Sequence, residues 1–96
     1  MRKEEILKVL KKELPYIRKK YRVKSIGLFG SCVRGEERKE SDIDILIEFE
    51  KPIGLFKFME LEEYLSQKLG RKVDLVEKDA LKERIKPYVM DEVVYV

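Results

Sequence analysis

Histidine is absent from the 96 residues, and cysteine occurs once, at Cys32. The first absence removes Ser-His-Asp and Cys-His triads, imidazole acid–base chemistry and the zinc sites that use histidine. The second excludes a disulfide within the chain and any cysteine cluster. Asparagine and threonine are missing as well, and glutamine occurs only at Gln67, while Lys, Arg and Glu are dense. Charged surface in place of thermolabile amides is the lean of a thermophile's protein. No apolar run is long enough to span a bilayer, and the N-terminus lacks the apolar core of a signal peptide. The expectation is a soluble, cytoplasmic protein.

What is present is a single short domain, residues 1–96, able to bury one modest core. A catalyst of this size is minimal and is expected to borrow surface from another subunit or from a macromolecular substrate. The balance of 22 basic against 19 acidic side chains leaves a net charge of +3, a weak lean towards an anionic partner.

Ile6, Leu7, Leu10, Leu14, Ile17 and Tyr21 recur at helical spacing, so residues 3–21 read as an amphipathic helix, with Pro15 expected to kink or split it. Val23 to Phe29 reads as a buried strand closed by Gly30, and residues 30–41 as a turn and polar loop with one helical turn near Val33. Asp42 to Phe49 alternates as a strand, with Ile43, Ile45 and Ile47 on one face and Asp42, Asp44 and Leu46 on the other. Leu55 to Leu69 reads as a second helix capped by Gly70. Lys72 to Val76 is a short strand, and Asp79 is placed to cap a third helix over residues 80–90 that Pro87 bends or interrupts. Val93 to Val96 adds an edge strand. The fold class is therefore α/β (α+β): a small mixed sheet of three to four strands packed with helices.

Two features carry chemistry. Asp42 and Asp44 lie two apart on a strand, so both side chains share a face. Two like charges that close repel, and a hard divalent cation such as Mg²⁺, or Mn²⁺ in its place, removes the penalty. The bland alternative is an acidic outer strand face, against which stands the apolar Ile45-Leu46-Ile47 that follows. Asp74, inside Val73-Asp74-Leu75-Val76, is a third ligand if its strand lies beside that of Asp42 and Asp44, and an outward-facing edge residue otherwise. The other feature is Gly30-Ser31, where small backbone at a strand end suits close approach to phosphate. Arg34 either clamps a triphosphate or pairs with Glu36, Glu37 or Asp42. Cys32 reads as a small filler at the turn, since neither His nor a second thiol is present to activate it.

Gly30-Ser31, ten intervening residues and Asp42-Ile43-Asp44 resemble the GS-x₁₀-D-x-D signature of the polymerase-beta-like nucleotidyltransferase superfamily. The fuller string Leu28-Phe29-Gly30-Ser31-Cys32-Val33-Arg34-Gly35 with Ser41-Asp42-Ile43-Asp44 is similar to its smallest branch, the minimal nucleotidyltransferases (MNT). The likeness runs from the first helix through Leu69 to Val76 and on to Val96. It implies a palm-like fold, with Asp42, Asp44 and Asp74 as catalytic residues and metal ligands. It also implies two Mg²⁺ ions, ATP as substrate, and Gly30, Ser31 and Arg34 at its phosphates. Asp74 would help deprotonate the acceptor hydroxyl. Members of this branch often serve as antitoxins beside a HEPN-domain ribonuclease toxin, moving AMP from ATP to a toxin tyrosine. The resemblance thus implies a protein adenylyltransferase with a HEPN partner.

A non-catalytic antitoxin that neutralises its partner by occlusion is the competing reading. Both readings expect an exposed apolar helix face, for which Phe56, Leu61 and Tyr64 are candidates, and a hetero- or homo-oligomer. A nucleic-acid role for the Lys-rich face of the first helix (Lys8, Lys11, Lys12, Arg18, Lys19, Lys20) ranks below both, since no aromatic residues interleave for base stacking.

Overall fold

Four strands and four helices account for most of the chain in the computed structural model, which describes residues 1–36, 38 and 41–96. The elements run α1 (Lys3–Tyr21), β1 (Val23–Phe29), α2 (Ser31–Arg34), β2 (Ile43–Phe49), α3 (Leu55–Leu69), β3 (Val73–Glu77), a 3₁₀ turn (Lys78–Ala80), α4 (Lys86–Glu92) and β4 (Val94–Tyr95). The strands form one sheet in the order β3-β2-β1-β4. β1 is antiparallel to β2 and to β4, whereas β2 and β3 are parallel and joined through α3. The mixed α/β architecture is the one expected.

Period-two alternation decides which side of the sheet becomes the core. Ile26 and Leu28 of β1, Ile43, Ile45 and Ile47 of β2, and Val73 and Leu75 of β3 join one buried cluster. Onto it α1 presents Ile6, Leu10, Ile17 and Tyr21, and α3 presents Leu61, Leu65 and Leu69. Each such side chain contributes roughly 1.5–3 kcal/mol by leaving water. Cys32 is buried in the same cluster, as a filler would be. Leu46 and Val89 are buried but belong to the opposite side, where Val93 lies so close to Gly27 that a Cβ there would stand 2.7 Å from its Cγ2.

Two helix expectations are corrected. Of the kink or split expected at Pro15, the split does not occur: α1 runs as one helix from Lys3 to Tyr21. The carbonyl that loses its partner belongs to Lys11, and both Lys11 and Pro15 are exposed, so the loss falls where solvent can compensate it. The last helix does not begin at Asp79 and meet Pro87 in its middle. Asp79 lies in the 3₁₀ turn, and α4 starts at Lys86 with Pro87 in its first turn. There the missing N–H costs nothing. Leu61 is likewise no part of an exposed face, being fully buried, and Tyr64 is half-buried with its hydroxyl on Glu13. Phe56 is 87% exposed, beside Leu55 and Met59. Among the described residues, no helix is long and apolar enough to cross a membrane.

Candidate functional site

The antiparallel return from β1 to β2 sets Phe29 opposite Asp44, so Gly30 arrives beside that carboxylate. Gly30 holds φ +80°, and a Cβ placed on it would overlap Asp44 Oδ2 and lie 3.0 Å from Cγ. Only glycine allows both the turn and this approach. The parallel register sets Asp44 opposite Asp74. Both side chains therefore leave the sheet on the face away from the main core.

β3 is an edge strand, and α3 fixes it from outside. Ser66 Oγ accepts the Val73 N–H at 3.0 Å, and Glu62 Oε2 accepts the Leu75 N–H at 2.9 Å. The outward amides of the edge are thereby satisfied, and Asp74 between them is held in register while remaining exposed. Ahead of β2, the Arg71 guanidinium donates to the Ser41 carbonyl, tying down the approach to Asp42 and Asp44.

A cavity of about 630 Å³ opens over this face. Gly30, Arg34, Asp44 and Asp74 line it, facing α4, which contributes Tyr88 and Glu92, and the connection ahead of α4, which contributes Lys82 and Arg84. Ser31 and Asp42 flank the cavity without lining it. Asp42 Oδ2 stands 3.7 Å from Lys72 Nζ in an exposed pair, and Ser31 opens α2, its carbonyl accepting the Glu36 N–H at 3.0 Å. Of the partners considered for Arg34, Glu36 is engaged at 3.0 Å and Asp42 is paired elsewhere, while Glu37 lies outside the described residues.

The residue that sequence reasoning missed is Glu92, the last of α4. Its Oε2 accepts the Gly30 N–H at 2.6 Å, and Arg34 Nη1 donates to it at 2.9 and 3.1 Å. Nothing local in Met90-Asp91-Glu92-Val93 announces this contact, which joins residues 62 positions apart.

Carboxylates crowd around Asp44. Burial pushes the Asp44 carboxyl up to about 6, aided by the neighbouring charges of Asp74, Asp42 and Glu92 and opposed by Arg34. Arg34 is in turn held firmly protonated by Glu36 and Glu92. A carboxylate this uncomfortable suits a divalent cation, and the donors available are all hard oxygens. Among the described residues, no three such side chains are gathered closely enough to enclose an ion by themselves. That arrangement fits Mg²⁺, which is usually bound through one or two carboxylates together with substrate phosphates.

Comparison with known proteins gives a consistent result. A family model described as the nucleotidyltransferase domain matches residues 3–96. The chain is 54% identical over 93 residues to the protein adenylyltransferase MntA of Thermococcus cleftensis, covering 97% of this chain and 91% of that protein. Among solved structures, one assigned as a minimal nucleotidyltransferase superposes with a TM-score of 0.78 at 30% identity, covering 94% of this chain and 92% of the other. A chain of a toxin–antitoxin assembly with AMP-PNP superposes with a TM-score of 0.71 at 25% identity, covering 99% of this chain and 72% of that one.

Proposed function

Because the chain belongs to the nucleotidyltransferase domain family, we propose that it transfers AMP from ATP to a hydroxyl of a protein acceptor, a tyrosine of a partner HEPN toxin, and so acts as an antitoxin. The observation that carries this reading is the register of Asp44 with Asp74 beside the Gly30 turn. The 54% identity to a protein adenylyltransferase supports the acceptor class, and the likeness to a toxin–antitoxin chain with AMP-PNP supports the nucleotide and the biological setting.

In this reading Asp42, Asp44 and Asp74 would hold Mg²⁺ together with the phosphates. Bound there, the ions would neutralise charge on the triphosphate and on the departing pyrophosphate. Gly30 offers its backbone N–H, Ser31 its hydroxyl and Arg34 its guanidinium to phosphate oxygens. Asp74 is exposed at the sheet edge, accessible to an acceptor from outside, and would take the proton of the attacking hydroxyl. The partner would bring its own hydroxyl to the cavity mouth. The exposed Leu55, Phe56 and Met59 are available for such a partner.

ATP labelled at the α- or the γ-phosphate, incubated with Mg²⁺, the chain and its partner, tests the reaction type. Adenylylation moves the α label to protein and leaves the γ label in pyrophosphate. Transfer of the γ label would make the chain a kinase and reject the reading. Neutralisation by occlusion alone would survive alanine at both Asp42 and Asp44, whereas neutralisation by AMP transfer would not.

A further inference from the structure

Glu92 is bonded to the groups that a triphosphate would need. Its two carboxylate oxygens take the Gly30 N–H at 2.6 Å and Arg34 Nη1 at 2.9 Å. A carboxylate facing a backbone N–H and a guanidinium presents two oxygens much as a phosphate does. Its charge bears on Asp44, where Glu92 adds to the repulsion from Asp74 and Asp42, although Lys82 and Arg84 also line the cavity. The Glu92 side chain is 21% exposed against 48% for Arg34, so its bond to Gly30 is partly buried while its pair with Arg34 stays open to solvent.

Resting on the nucleotidyltransferase reading above, we infer that the Glu92 carboxylate is an internal competitor of the nucleotide's phosphates, holding Gly30 and Arg34 until ATP displaces it. The contact keeps the turn and the guanidinium oriented, and it sets the affinity for nucleotide by the work of breaking it. Glu92 is the last residue of α4, and the chain beyond makes only the two-residue strand β4. Release by rotation of the Glu92 side chain would leave the backbone of α4 and the Val96 contact with the core in place.

The test is ATP affinity by calorimetry, for the full chain and for Glu92→Gln, with Mg²⁺ and again with EDTA. Gln keeps the length of the side chain and removes its charge, so Arg34 loses one of its two ionic partners and keeps Glu36. The competitor account predicts ATP binding on the order of tenfold tighter in Glu92→Gln, the scale of one charge-assisted hydrogen bond. It also predicts that the gain largely vanishes in an Arg34→Ala background, because the two residues act as one unit. Glu92→Asp, which keeps the charge but withdraws it by one methylene, should also bind ATP more tightly, and serves should Glu92→Gln unfold. Unchanged or weaker binding in these variants would overturn the inference and make Glu92 a prop for Arg34, leaving the nucleotide reading intact. If neither the parent chain nor any variant binds ATP, the nucleotide reading fails and this inference falls with it.

Discussion

Asp44 and Asp74 occupy paired positions on adjacent parallel strands, one half-buried and one exposed, although thirty residues of chain separate them. The crossover through α3 makes the pairing, and the side-chain bonds from Ser66 and Glu62 keep its register. The two carboxylates differ in surroundings: Asp44 sits deeper beside Gly30, and Asp74 is exposed at the sheet edge.

Asp74→Asn is expected to lower AMP transfer by roughly 10²–10⁴-fold, the range for losing a positioned general base. ATP affinity in EDTA should change little, since Asp74 makes no contact with the groups assigned to the phosphates. Single-turnover transfer alongside calorimetry checks both halves of the statement.

Asp44→Asn should stabilise the chain when no divalent ion is present. The folded-state value of about 6 lies above the ordinary value of 3.8, so between the two the folded chain binds more protons than the unfolded chain. Stability from this group is full below about pH 4 and is lost as pH rises through 6. In EDTA the variant should gain about 1 kcal/mol at pH 8, after discounting for the solvent that reaches this half-exposed carboxylate, and almost nothing at pH 4. Mg²⁺ should raise the melting temperature of the parent chain and not that of the variant. Thermal melts at the two pH values, with and without the ion, check the sign.

Gly30→Ala should damage both fold and site. The added Cβ meets Asp44 Oδ2, and the φ of +80° is strained for any L side chain. A loss of roughly 1–2 kcal/mol from the backbone conformation alone is expected, with further cost from displacing Asp44. Urea denaturation measures the first part, and AMP transfer by the folded fraction measures the second.

Ser66→Ala removes the acceptor of the Val73 N–H and should cost about 1 kcal/mol. Its effect should be local. Hydrogen exchange at Val73 and Leu75 is expected to accelerate before that of Ile45 in the central strand, because β3 is paired on one side only.

The parts of the site that could be read in the sequence are those that local rules govern. Gly30-Ser31 follows an apolar strand, and Asp42-Ile43-Asp44 opens the next, so the hairpin-like return brings them together with no long-range information. Asp74 depended on a crossover to a parallel neighbour, and the sequence could only state the condition that the structure meets. Glu92 was illegible because its partners Gly30 and Arg34 lie about sixty positions away, and a glutamate ending a short helix carries no pattern. The split expected at Pro15 and the helix interior expected at Pro87 fail for opposite reasons. The first proline lies on an exposed face where solvent can compensate its lost bond, and the second begins a helix that was expected to start earlier.

The central claim is that these carboxylates direct AMP onto a protein. Its most direct test is the intact mass of the partner HEPN toxin after incubation with ATP, Mg²⁺ and this chain, beside the same mixture containing Asp42→Ala/Asp44→Ala. The account predicts a toxin heavier by whole AMP units with the parent chain, mapped to a tyrosine, and an unchanged toxin with the variant. A toxin left unmodified yet neutralised in a stable complex by both chains would contradict it.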